Sequence, residues 1–177
     1  YYTRGSMDIF AHQTNVDVSN RFVVFNVRDL GDQLRQIALI IVFDFIWNRM
    51  IQNKNSGVRT YCYCDEIHVM FQSYYSANFL KQLYKRGRKY GMCITGLTQN
   101  VEDLLRSEQA RGMISNSDFI MMLNQSSEDL KILAGMLNIS ETQMGYVTGA
   151  DAGSGLLFAE KVIVPFVDRF PETSYLY

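Results

Sequence analysis

Apolar and polar positions change their period several times along this chain, and each change marks an element. Arg21–Val27 is a run of β-branched and aromatic residues, the composition of a buried strand, and Asp29 and Gly31 break it. From Leu34 to about Met50 apolar residues recur at Leu34, Ile37, Ile41, Phe45 and Met50, with others between them. That spacing predicts a long helix, apolar nearly all round and therefore covered on most sides. Asn53–Gly57 is a turn, and Val58–Cys64 is a second strand that stops abruptly at Asp65-Glu66. A helix is predicted over about Ser76–Tyr90, with Ser76 as its N-cap and Gly91 as its C-cap. Met92–Leu97 is a third strand, closed by Thr98-Gln99-Asn100. Short helices over Val101–Leu105 and about Ser107–Met113 lead to a fourth strand, Phe119–Leu123. Ser126 or Ser127 caps a helix to about Leu137, and Ser140 caps another to about Tyr146. Ser154–Ala159 and Lys161–Pro165 read as a hairpin. Residues 1–20 carry no clear period and read as a lead-in from a missing upstream region, ahead of one domain over residues 21–177.

Strand and helix alternate through the middle, which predicts an α/β fold with a mainly parallel sheet flanked by helices on both faces. Ligands of such sheets sit beyond the carboxyl ends of the strands, so the residues after Cys64 and Leu97 are the ones to weigh. With 47% hydrophobic and 20% charged residues the composition is globular. A net charge of −1 gives no global reason to bind a polyanion, which leaves only a local patch for that role. Cys62 and Cys64 fall inside an apolar strand, and no second Cys/His pair stands at zinc spacing, so reduced, buried thiols fit better than a metal. The most apolar helical stretch, Ile37–Trp47, is too short to span a bilayer and contains Asp44, and no stretch of these residues reads as a signal peptide.

The strongest chemical pattern is Tyr61-Cys62-Tyr63-Cys64-Asp65-Glu66, a largely apolar strand ending in two carboxylates. This is the form of a Walker B element. Mg²⁺ takes hard oxygen ligands, so Asp65 would hold it directly or through water, and Glu66 would polarise the water that attacks a γ-phosphate. An acidic turn after a strand gives the same letters. The next strand ends in Thr98-Gln99, which puts a polar amide at the same sheet edge as Glu66; this resembles the additional-strand P-loop ATPases, in which a polar residue there senses the γ-phosphate and orients water. Two such tips, one helix apart, favour the ATPase reading over two ordinary turns. Lys81, Lys85, Arg88 and Lys89 share helical spacing and form a basic stripe, which is either a solvated face or a contact for phosphate or DNA. His68 completes an Asp-Glu-x-His sequence, but no further helicase motif follows Thr98, and a packing or hydrogen-bonding role is assigned to it. The glycines of Gly149–Gly155 precede a strand rather than a helix and no lysine follows them, so they make a turn and not a phosphate loop.

Taken in order, Phe22-Val23-Val24-Phe25, Cys64-Asp65-Glu66-Ile67-His68, Lys85-Arg86-Gly87-Arg88-Lys89-Tyr90-Gly91 and Thr98-Gln99-Asn100-Val101-Glu102-Asp103-Leu104-Leu105 are joined by Ser115-Asn116-Ser117, Met122-Leu123-Asn124-Gln125, Gly153-Ser154-Gly155-Leu156 and Val164-Pro165-Phe166. This set resembles the C-terminal motor domain of the VirB-type, TraE/TrsE-like ATPases of conjugative transfer and type IV secretion, over nearly all of the chain. The resemblance implies a partial RecA-like P-loop NTPase core with a C-terminal β-hairpin, using ATP and Mg²⁺. It implies catalytic roles for Glu66, Gln99 and one of Arg86 or Arg88, nucleotide contacts from Asp65 and Thr98, and Mg²⁺ on Asp65. It also implies a homo-oligomer, a hexamer in such motors, working with other channel subunits at the cytoplasmic face of a bacterial plasma membrane, peripheral rather than integral, to move DNA or protein. A DNA-translocating ATPase of the coupling-protein or FtsK-like kind, and a non-catalytic scaffold of the transfer apparatus, stand as the alternatives.

The chain departs from that pattern at one element. No lysine follows a glycine anywhere, so the Walker A loop that cradles phosphate is missing from these residues. The expectation is a fragment that starts after the Walker A region, inactive alone, with unpaired strand edges that recruit another chain.

Overall fold

The computed structural model describes residues 8, 12, 13, 15–99, 101–160 and 162–175. The predicted lead-in therefore lies largely outside the described residues, as do Asn100 and Lys161. By contact the chain divides into two compact units, one of Tyr1–Cys62 with Lys89–Cys93 and the other of Tyr63–Arg88 with Ile94–Tyr177.

The first unit is organised by helix α1, Asp32–Asn55. The predicted periodicity forms this helix, two turns longer than the apolar run itself because Asp32 favours its N-terminal end and Lys54 its last turn. Its buried side is Leu39, Phe43 and Met50, whereas Ile40 and Ile41 are 44% and 50% exposed. The expectation of a helix covered nearly all round is met on one face only. The stretch Arg21–Val27 is not a strand, because no ladder hydrogen bonds form along it, and Phe22 and Val24 are 79% and 72% exposed. β-branched composition favours extended backbone, but a strand also needs a partner to take its N–H and C=O groups. Side chains hold this segment instead. Phe25 packs edge-on against Phe45 with ring centroids 5.3 Å apart, and the Arg49 guanidinium donates to the carbonyls of Val18, Ser19 and Asn20. Trp47 meets Tyr90 at 5.8 Å, and the Lys54 ammonium lies 4.7 Å over the same Tyr90 ring.

Strands β1, Thr60–Cys64, and β2, Met92–Gly96, pair with each other. Thr60 N–H donates to the Gly91 carbonyl at 3.1 Å and Leu97 N–H donates to the Cys64 carbonyl at 2.9 Å. The two registers advance together, so the pair is parallel.

In the second unit, β1 leads through a 3₁₀ turn, Ile67–Gln72, into α2, Tyr74–Arg86. Ser76 is not the N-cap predicted for this helix. It lies inside the first turn, buried, and its hydroxyl donates back to the carbonyls of Ser73 and Met70. The helix also ends earlier than Tyr90, since Gly87–Tyr90 tightens into a 3₁₀ turn before Gly91 reverses the chain at φ +69. Helices α3, Val101–Leu105, α4, Glu108–Ser115, α5, Ser127–Leu137, and α6, Glu141–Met144, follow close to the predicted ranges. Ser107 caps α4, Ser126 rather than Ser127 caps α5, and Ser140 with Gln143 forms a capping box on α6. Asn138 ends α5 in the left-handed conformation at φ 57.

The predicted fourth strand and hairpin form one antiparallel sheet of β3, Phe119–Met122, β4, Ser154–Ala159, and β5, Val162–Val167. Phe119 faces Ala159 and Met122 faces Leu156, while Leu156 in turn faces Pro165 on the edge strand. Gly155 is required here, because a Cβ on it would run into the Met122 carbonyl. The core of the unit is built on Ile67, Leu80, Leu83, Ala110, Leu130, Val147 and Leu156, each at most 2% exposed. Among the described residues no helix is long and apolar enough to cross a membrane.

Candidate functional site

The parallel ladder does not stop where the strands do. Beyond β1 and β2, Ile67 N–H donates to the Leu97 carbonyl at 2.9 Å, so the two tips are tied by backbone on both sides of the carboxylate pair. Between Cys64 and Ile67 the chain must turn out of the strand into the 3₁₀ segment. It does so at Glu66, which adopts the left-handed conformation with φ 46 and ψ 47. A glutamate in that region is uncommon, and such backbone strain collects at functional sites. Glu66 N–H donates to Asp65 Oδ1 at 3.0 Å, and the Glu66 carbonyl accepts from Val69 N–H to start the 3₁₀ turn.

Asp65 is exposed at the tip. The Glu66 side chain is 44% exposed overall, but its Oε2 atom is covered from solvent and has no hydrogen bond of acceptable geometry. That oxygen lies 3.2 Å from His68 Nδ1, which is itself 3.1 Å from Thr98 Oγ1. The two strand tips therefore meet through an imidazole. Gln99 follows Thr98 and is exposed, while its predicted neighbour Asn100 lies outside the described residues.

The structure brings Asp65, Glu66 and Thr98 together at one end of the parallel pair, with Gln99 next in sequence to Thr98. It does not bring the arginines to them. Arg86 closes α2 and Arg88 stands on the 3₁₀ turn after it, both exposed, and among the described residues neither forms an ion pair with Asp65 or Glu66. Because α2 stops at Arg86, the predicted stripe breaks: Lys81 and Lys85 stay on the helix, and Arg88 and Lys89 fall on the tighter turn. His68 takes the hydrogen-bonding role expected of it, toward Thr98. Its signal was the Asp-Glu-x-His spacing, which puts the imidazole on the first turn after the carboxylates.

The donor set suits magnesium. One exposed carboxylate, Asp65, matches an ion that keeps several waters and takes its remaining ligands from phosphate. Among the described residues no cluster of three or more His, Cys, Asp or Glu side chains is present that could hold a metal without such help.

A parallel pair with acidic and polar tips, flanked by helices, and a separate three-stranded antiparallel sheet make this a mixed α/β fold of the kind seen in part of a P-loop NTPase core. The structure matches "Structure of VirB4 of Thermoanaerobacter pseudethanolicus" with a TM-score of 0.82 at 24% identity, over 99% of this chain and 49% of that one. The chain thus spans about half the length of that protein's structure. The family model described as the TraG P-loop domain matches residues 1–153, and the chain belongs to that family. No curated protein matches it. The family and fold indicated by the ordered motifs are thereby borne out.

Proposed function

We propose that this chain is part of the motor ATPase of a conjugative-transfer or type IV secretion machine, and that residues 21–177 form the distal part of one RecA-like ATPase domain. The observation that carries this reading is the meeting of Asp65-Glu66 and Thr98 at two adjacent parallel strand tips, with Glu66 strained and one of its oxygens left unsatisfied. When bound, Mg²⁺ would neutralise phosphate charge, held by Asp65 and aided by contact from Thr98. Glu66 takes the proton of the attacking water as the water oxygen bonds the γ-phosphorus and the bridging oxygen leaves with ADP. Gln99 orients that water. Arg86 or Arg88, exposed and away from the chain's own carboxylates, serves a neighbouring subunit of a ring, hexameric by analogy with such motors. The machine sits on the cytoplasmic face of the membrane with other channel subunits and passes DNA or protein.

The phosphate-cradling loop is supplied by sequence outside these 177 residues, since none of their lysines follows a glycine. Without that loop the chain lacks the main charge complement of a triphosphate and is inactive alone. The test is Mg²⁺-ATP turnover by this chain beside a form extended upstream, each with Glu66→Gln. Turnover in the extended form, removed by the substitution, is the expected result. Turnover that survives Glu66→Gln overturns the assignment of the catalytic carboxylate.

A further inference from the structure

We propose that His68 is a positioning residue for Glu66, a role that rests on the reading of Glu66 as the catalytic carboxylate. The side chain of His68 is 17% exposed, and its Nδ1 lies between two groups that compete for it, Glu66 Oε2 at 3.2 Å and Thr98 Oγ1 at 3.1 Å. The competition follows from what each group can offer. An ionised carboxylate only accepts, so Nδ1 serves Glu66 only when it carries a hydrogen. A threonine hydroxyl both donates and accepts, so Thr98 can engage Nδ1 in either imidazole tautomer. In this structure the geometry satisfies Thr98, and Glu66 Oε2 is covered but unsatisfied.

Such an oxygen is desolvated without gaining a donor, which gives Glu66 a standing preference to capture the imidazole N–H or another donor. His68 thereby sets where the carboxylate waits, and links that position to the tip of β2, which carries Thr98 and Gln99. The backbone bonds between Ile67 and Leu97 and between Leu97 and Cys64 hold the two tips in register, so the imidazole is the adjustable part of a fixed frame.

A ring that only fills space predicts different results from one that positions a carboxylate. In the full-length protein, His68→Leu is expected to lower kcat for Mg²⁺-ATP about tenfold or more, because a small displacement of a reacting group has effects of up to ~100-fold. KM for ATP should stay within about twofold, since binding is not the step that depends on Glu66. His68→Asn places an amide where Nδ1 stands and should restore most of the rate, while His68→Gln, whose amide reaches the Nε2 position, should not. Thr98→Val should add little to His68→Leu, because both break one network. If the leucine variant does not fold, the Asn-to-Gln contrast decides, and equal rates in those two overturn the proposal. A His68→Leu rate near wild type, where Glu66→Gln is dead, also overturns it. If Glu66→Gln itself retains the rate, the reading of Glu66 fails instead. A second readout needs no nucleotide. The chain has 2 histidines, so the His68 ring nitrogens are readily assigned by NMR. Glu66→Gln and Thr98→Val should each change their tautomer signature, and identical ring spectra in both variants and wild type overturn the link.

Discussion

Replacing Glu66 by glycine should make the protein more stable while abolishing its turnover. Two terms drive the gain. Holding a residue with a Cβ in the left-handed conformation is unfavourable by about 1–2 kcal/mol, and glycine removes that strain. Removing the covered, unsatisfied Oε2 relieves a further ~1–3 kcal/mol, taken at the lower end because the rest of the carboxylate is partly wet. Against these stands the greater freedom of glycine in the unfolded chain, about 0.5–1 kcal/mol. The net expectation is a gain of about 1–2 kcal/mol, which for a chain of 177 residues is a rise of a few degrees in Tm. Glu66→Ala separates the terms, since it removes the oxygen and keeps the strain, and should lie between wild type and Glu66→Gly. Urea unfolding with unchanged slope is the suitable assay, because a shift in midpoint then reports stability alone. A Glu66→Gly midpoint at or below that of wild type refutes the claim that this residue is held against its preference. Gain of stability with loss of activity is the mark of a position kept for chemistry.

Gly155→Ala is expected to destabilise by about 1–3 kcal/mol or more, because the new methyl meets the Met122 backbone carbonyl of the paired strand and a carbonyl in a ladder cannot move aside. Thermal unfolding checks this, and an unchanged Tm refutes it. Arg86→Ala or Arg88→Ala in the assembled, full-length protein should lower turnover with nucleotide affinity little changed, measured by steady-state kinetics beside equilibrium binding. Unchanged turnover in both variants removes the arginine-finger role.

Most elements of the second unit were legible because their signals are local. Ser107, Ser126 and Ser140 bond the backbone three residues on, and such caps depend on nothing distant. The hairpin of β4 and β5 and the two acidic and polar tips were legible for the same reason. What failed depended on partners. Arg21–Val27 has the composition of a strand, but no local rule supplies the neighbour that would make it one. Ser76 looks like a cap because serine often is one, yet Ser76 is 2% exposed, and burial turns its hydroxyl back onto carbonyls of the preceding turn. The pairing of β3 was hidden too: alternation of strand and helix predicts parallel neighbours, whereas Met122 finds Leu156 across a hairpin strand further along the chain.

His68 lay between these two classes. Its spacing from Glu66 was plain, but its meaning required knowing that the tips of β1 and β2 are adjacent, which only the parallel pairing establishes. Gly96 shows how closely that adjacency is built. A Cβ there would come within 2.6 Å of Ile67 Cδ1 and 2.9 Å of the Tyr84 hydroxyl, so the ends of both side chains would have to shift to admit one. Ile67 is 1% exposed and follows Glu66 directly. The buried Ile67 and the left-handed Glu66 are thus consecutive residues of one turn, which also carries His68. Fold and candidate chemistry meet in that turn: the residue that enters the core stands next to the strained residue proposed to act.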